Sequence, residues 1–197
     1  NLEALEKGSV NLGKHIENMQ KYGVPVMVCI NKYETDTQKE IEFLREFTKK
    51  YGVEVEISQC FEKGSQGTVD FANKVAEILD KTVSEYEPLY SLEESIQEKI
   101  SIICREIYGA KEVKFLDKAI ENIEIANDNS YSKLPICIAK TPSSLTDDAK
   151  ILGRPKDFTI TIRDIKIDAG AGFIVAYAGN IMTLPGLGKS SKYKDFK

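Results

Sequence analysis

The feature that most constrains this chain is the run Val24-Pro25-Val26-Met27-Val28-Cys29-Ile30, set between two stretches of helical periodicity. A continuous apolar run of this length, rich in β-branched residues, reads as a strand buried on both faces. Before it, Leu2, Leu5, Val10, Leu12 and Ile16 recur at roughly helical spacing with no start signal ahead of them, and Gly23 and Pro25 end that helix. After it, Asn31 to Thr37 is a polar loop. Thr37 with Glu40 forms a capping box for a helix to about Tyr51, which Gly52 stops. Val53 to Ile57 alternates like a second strand. A loop, Gln59 to Gly67, then leads to a helix carrying Phe71, Val75, Ile78 and Leu79. This order predicts an α/β architecture: a βαβα unit with parallel strands and a right-handed crossover.

Composition shifts at Thr82 to Pro88, read as a linker, which divides the chain into a parallel-sheet unit over 1–86 and a smaller α+β domain over 87–197. In the second part, Ser91 with Glu94 predicts a capping box opening a helix with the stripe Leu92, Ile96, Ile100, Ile103 and Ile107, ended by Gly109. A further helix is predicted from Val113 to Asn127, and strands over Pro135 to Lys140, Phe158 to Asp168 and Phe173 to Ala178. The middle strand slips its alternation near Asp164, as a β-bulge would.

Bulk properties exclude several classes. The 27 basic and 31 acidic residues are interleaved, for a net charge of −4, so no basic stripe exists to track nucleic acid. The longest apolar runs are too short to span a bilayer, and the N-terminus lacks the apolar core of a signal peptide, so a soluble, cytoplasmic protein is expected. Cys29, Cys60, Cys104 and Cys137 form no CxxC motif and sit among apolar neighbours, which predicts reduced, buried core thiols. His15, the sole histidine, has no partner for a zinc site or a catalytic triad and reads as a helix-surface residue. The abrupt start inside a helix and the Lys-rich end, Ser190 to Lys197, read as a piece of a longer polypeptide.

Ligands of open α/β sheets bind beyond the C-terminal strand ends. Two loops occupy that position, Asn31 to Thr37 and Gln59 to Gly67. If their strands are neighbours, Tyr33 and Phe61 meet at one rim, either as a pair that sandwiches a flat heterocycle or as rings packed over the sheet end. Gly64-Ser65-Gln66-Gly67 offers backbone N–H groups to an anion or simply makes a tight turn into the next helix. Lys140-Thr141-Pro142-Ser143-Ser144-Leu145-Thr146-Asp147-Asp148 faces a polar ligand or metal, or is a solvated loop with capping hydroxyls. Gly170-Ala171-Gly172 and Leu184-Pro185-Gly186-Leu187 read as backbone-shape elements, small residues for close approach and then a tight turn. Gly186-Leu187-Gly188-Lys189-Ser190 is not a phosphate-binding P-loop, because the pattern needs glycine where Thr183 stands.

These loops belong to longer runs: NLEALEKGSVNLGKHIEN, GVPVMVCINKYETDT, FEKGSQG, SIQEKI with REIYGA, NSYSKLPICIAKTPSSLTDD, LGRPKDFTITIRDIKIDAGAGF and IMTLPGL. In this order they resemble the C-terminal part of formate–tetrahydrofolate ligase along the whole chain. The resemblance implies a fragment of a larger P-loop-type enzyme that joins formate to tetrahydrofolate using ATP, by way of formyl phosphate. It also implies Mg²⁺, a monovalent cation, a homo-oligomer (a tetramer) and catalytic residues upstream of Asn1, leaving the fragment inactive alone and without its own bound cofactor. It places Tyr33 where the family usually has Phe and Phe61 where it usually has Trp, the pair that stacks on a pterin or purine. Asn31, Asp36, Lys140 and Thr141 also match family positions. Glu34 replaces a common Pro, Ser65 and Gln66 replace a usual Gly-Glu or Gly-Lys pair, Ser143 stands where a bulkier residue is usual, and the tail after Leu187 departs from a Pro-rich run. The smaller ring at position 61 implies weaker folate affinity or a drifted ligand preference. A non-catalytic binding or assembly module derived from the same fold is the alternative.

Overall fold

The computed structural model describes residues 1–179 and residue 181. The turn read at 184–187 and the false P-loop read at 186–190 lie outside the described residues. The chain divides into two compact units, Asn1–Leu89 and Tyr90–Lys197. The second is the larger of the two, not the smaller one expected.

In the first unit, helix α1 (Leu2–Gln20) leads to strand β1 (Met27–Asn31), helix α2 (Gln38–Lys49), strand β2 (Glu54–Ser58), the one-turn helix α3 (Cys60–Lys63) and helix α4 (Val69–Lys81). Strands β1 and β2 pair in parallel, Met27 opposite Glu54 through Asn31 opposite Ser58. Asn1 caps α1, its side chain accepting from the Ala4 N–H, so a start signal exists that the apolar periodicity did not show. The Thr37–Glu40 capping box forms as expected. His15 lies on the exposed side of α1. The buried positions of that helix are Ser9, Gly13, Lys14, Ile16 and Asn18, whereas Leu2 and Val10 are exposed. At Gly13 the Tyr51 hydroxyl lies in the space that a Cβ would occupy.

Three expectations for this unit are corrected. Strand β1 is not buried on both faces: Ile30 is buried and Val28 half-buried, while Cys29 and Asn31 are exposed. Among the described residues the strand has a single neighbour, and its last four residues alternate between covered and open faces. Gln59 to Gly67 is not an irregular loop but α3 followed by a 3₁₀ turn, Gly64–Thr68. The segment read as a linker returns onto the end of α1, with the Glu85 N–H donating to the Gly23 carbonyl (3.0 Å), the Glu87 N–H to the Tyr22 carbonyl (3.1 Å) and Tyr86 stacked on Tyr22. Those bonds hold residues 85–87 in the first unit.

The second unit contains helix α5 (Ile96–Ile103), continued by a wider π-type turn (Cys104–Tyr108), then β3 (Glu112–Phe115), α6 (Asp117–Asp128), β4 (Ile136–Ala139), β5 (Thr159–Asp168) and β6 (Phe173–Ala178). The sheet order is β3-β5-β6-β4; β3 runs parallel to β5, β4 parallel to β6, and β5 antiparallel to β6. Its core joins Ile96, Ile100 and Cys104 of the helix to Ile123, Ile160, Ile162 and Ile174. Helix α5 starts one turn later than Ser91–Glu94 predicted. Ser95 is the N-cap, accepting from the Glu98 N–H, so the second of two consecutive S-x-x-E patterns prevails and Leu92 stays exposed. Val113 to Phe115 is strand rather than helix, because pairing with β5 satisfies its backbone and leaves Val113 and Phe115 against the core. Lys99 is fully buried, its ammonium donating to the carbonyls of Ser132 (2.5 Å) and Leu134 (2.8 Å).

The cysteines also differ from expectation. Only Cys104 is buried, its thiol pushed up to about 12 by burial, whereas Cys29, Cys60 and Cys137 are exposed. Apolar sequence neighbours do not bury a residue on the open face of a strand or on a one-turn helix.

The slip near Asp164 is a β-bulge. From Ile162 opposite Ala178 to Asp164 opposite Tyr177, β5 advances two residues and β6 one, so Arg163 has no opposite residue. Beside it, the Asp164 carboxylate accepts from Lys118 (2.5 Å) and from the Asn122 amide (2.6 Å). Burial works against that charge, but the ammonium, the amide and the Ile165 N–H together outweigh it and hold Asp164 below its ordinary value. A carboxylate with a depressed folded-state pKa contributes stability above its unfolded pKa and loses it as pH falls through the folded value. Wild-type stability is therefore expected to drop below about pH 4, and Asp164→Asn to be less stable near neutrality by about 1–2 kcal/mol with a flatter acid limb. Denaturant melts at several pH values check this.

Candidate functional site

The end of the β1–β2 ladder builds the first site. The Lys32 N–H donates to the Ser58 carbonyl (2.9 Å), carrying the pairing one residue past β1, so both following loops leave from one rim. On the first loop, the Tyr33 N–H donates to the Asp36 carboxylate (2.8 Å) and the Asp36 N–H returns to the Tyr33 carbonyl (3.0 Å). This reciprocal turn fixes the backbone under the ring. The Asn31 amide donates to the Tyr33 hydroxyl (3.2 Å), a bond that a phenylalanine could not accept.

On the second loop, Ser58 is buried, and α3 presents Phe61. The Gln59 N–H donates to the Gly67 carbonyl (2.9 Å), closing the loop at its base. A Cβ on Gly67 would fall within contact distance of the Gln59 carbonyl oxygen, so this closure requires glycine.

The rings of Tyr33 and Phe61 lie 5.3 Å apart between centroids at an interplanar angle of 50°. Phe61 is 78% exposed and Tyr33 45%. The two side chains therefore meet at the strand-end rim, in contact with each other rather than parted. A flat ring placed between them needs roughly 7 Å, twice the carbon–carbon contact distance of about 3.5 Å. Admission of a ligand thus requires Phe61 to swing outward, and its exposure leaves room for that. Sequestering an exposed phenyl ring is worth about 1.5–3 kcal/mol, available to any ligand that covers it.

Asn31, Tyr33, Asp36 and Phe61 thus gather in the first unit, while Lys140 and Thr141 lie in the second. The Lys140 ammonium points into its own loop, donating to the carbonyls of Thr141 (2.9 Å) and Ser144 and lying 4.7 Å from the centroid of the Tyr108 ring. Burial pushes that ammonium below the ordinary lysine value, with Asp147 and Cys104 working the other way. Its contacts are those of a loop clamp. The hydroxyls of the loop are similarly engaged: Ser144 Oγ donates to the Ile151 carbonyl (2.5 Å), and Thr146 Oγ1 to that of Asp148 (3.1 Å). Thr141 instead lines an open cleft of about 830 Å³ together with Pro142, Asp147, Thr161 and Arg163. Arg163 and Thr161 were not singled out from the sequence. Their signal is the polar half of the β5 alternation, where Thr161 and Arg163 flank Ile162.

Among the described residues no group of three or more His, Cys, Asp or Glu converges to hold a metal ion. The sequence holds no complete P-loop pattern. The described residues therefore offer neither a metal cluster of three ligands nor a Walker-type cradle for nucleotide phosphates. No helix among the described residues is long and apolar enough to cross a membrane.

The Gly67 closure yields a direct test. Gly67→Ala is expected to destabilise the chain by about 1–3 kcal/mol, the usual cost of overpacking. Amide exchange should accelerate selectively across residues 59–67; unchanged exchange there would mean that the closure does not hold the Phe61 loop.

The family model described as formate–tetrahydrofolate ligase matches residues 1–197, and the chain belongs to that family.

Proposed function

We propose that the chain acts as the C-terminal part of a formate–tetrahydrofolate ligase, supplying part of the wall that binds folate or nucleotide while 10-formyltetrahydrofolate is made. The meeting of Tyr33 and Phe61 at a strand-end rim carries this reading. Stacking between the two rings accepts either a pterin or a purine, since it reads a flat π-face rather than a pattern of donors. Asn31 and Asp36 hold Tyr33 in place. Lys140 and Thr141 shape their own loop in the second unit. The two units serve as separate domains of a larger P-loop-type, cytoplasmic enzyme.

In this reading formate is activated by phosphoryl transfer to formyl phosphate, and the folate amine then attacks the formyl carbon. That chemistry rests on positioning and charge neutralisation, through a phosphate cradle, Mg²⁺ and a monovalent cation. In this reading those groups are supplied by upstream residues of the whole enzyme. The whole enzyme assembles as a homo-oligomer, a tetramer as in the family.

Two measurements test the proposal. In the full-length enzyme, Phe61→Ala should raise the folate KM by an amount equivalent to about 1–3 kcal/mol with the protein still folded; an unaltered KM would return Phe61 to a packing role. Purified residues 1–197 should show no formate- and folate-dependent ATP hydrolysis, and robust turnover would refute the division of labour. A second reading, a non-catalytic binding module, is favoured by the smaller ring at position 61 and by the closed contact between the rings. An upstream sequence without an intact G-x-x-x-x-G-K-[ST] loop would support it.

A further inference from the structure

The cleft of the second unit has features that packing alone does not require. It is lined by Leu116, Thr141, Pro142, Thr161, Arg163 and Ile181 among others and is open to solvent, with a volume of about 830 Å³, within the size range of small-molecule sites. Arg163 is the extra residue of the β5 bulge. Bulges recur next to binding sites because they re-aim a side chain while the rest of the ladder stays in register.

The guanidinium is only partly satisfied. Its Nη2 donates to the Ile181 carbonyl (2.7 Å), and its plane lies 5.5 Å from the centroid of the Tyr177 ring. Its Nε is buried and has no hydrogen-bond partner among the described residues. A buried, charged donor left unpaired is unfavourable, and an incoming acceptor relieves it. Beside it, Thr141 and Thr161 line the same cleft. The Thr141 Oγ1 accepts from the Ser143 N–H (3.2 Å), leaving its hydroxyl hydrogen to donate.

The wall is held in place. The Thr161 N–H donates to Asp147 Oδ2 (2.8 Å), pinning the loop to β5. Gly179, at φ +66°, lets that loop approach closely, since a Cβ there would lie 2.7 Å from the Asp147 carbonyl oxygen. Asp147 and Asp148 also line the cleft, and their charge disfavours a dianion. One arginine, hydroxyl donors and an apolar surface of Leu116, Pro142 and Ile181 match a singly charged carboxylate attached to an apolar body.

We propose that this cleft is a binding site for such a carboxylate, with Arg163 as its anchor and Thr141 and Thr161 as supporting donors. Benzoate serves as the probe and inorganic phosphate as the comparator, titrated by calorimetry into the purified protein. Benzoate should bind and phosphate should bind more weakly. Arg163→Gln should weaken benzoate about tenfold, the worth of one charge-assisted hydrogen bond. Thr161→Val keeps the backbone N–H that Asp147 uses, and should weaken benzoate about threefold, the worth of a modest neutral hydrogen bond; it decides the question if Arg163→Gln does not fold. In the wild type the Arg163 Nε–H resonance should shift on saturation, which a purely structural arginine would not show. Phosphate binding as tight as benzoate, benzoate affinity unaltered in Thr161→Val, or an unmoved Nε–H resonance would each overturn the proposal.

Discussion

The parallel register of β1 on β2 is the constraint from which the candidate rim follows. With Asn31 opposite Ser58 and the Lys32 N–H on the Ser58 carbonyl, both chains leave the sheet at one level. Tyr33 and Phe61 then have no choice but to meet. A slip of one residue would exchange the faces of every side chain on the strand and carry the two loops apart. The ion pairs beside β2, Lys74 with Glu54 and Arg45 with Glu56, involve partly exposed side chains and add little to that register. Backbone pairing carries the register, in a unit where Ile30 and Ile41 are buried.

The second unit shows a different division of labour. Its hydroxyl-rich loop after β4 looks like a ligand loop in the sequence, yet most of its polar groups bond within the loop, and the Lys140 ammonium closes it from inside. That loop is a wall rather than a set of ligands. The polar group left unsatisfied is on the opposite strand, at Arg163, where the bulge removes the residue's cross-strand neighbour. A local irregularity thus places one charged group against an otherwise self-satisfied surface.

Where sequence expectation and structure part, the competing force can be named. Two S-x-x-E patterns follow one another over residues 91–98, and the one that leaves Ile96 and Ile100 in the core sets the helix start. Val113 to Phe115 fits a short strand or a helical turn equally well by pattern, and the partner strand β5, more than forty residues later, decides it. Cys29 has apolar neighbours on both sides along the chain, but strand alternation exposes it. Each difference reflects a partner remote in sequence, which local periodicity does not report.

By itself the sequence determined the α/β class, the capped start of α2, the bulge near Asp164, the family membership and the pair of aromatics on strand-end loops. These depend on local chemistry: side-chain spacing, capping pairs and residues joined within a few positions. Tertiary structure decided that Tyr33 and Phe61 touch rather than stand apart, that Lys140 serves its own loop, and that Arg163 enters a cleft with a donor to spare. Those outcomes depend on which strand lies beside which and on what each buried polar group finds to bond. Such pairings are long-range, and their free energy appears only once the chain has closed on itself.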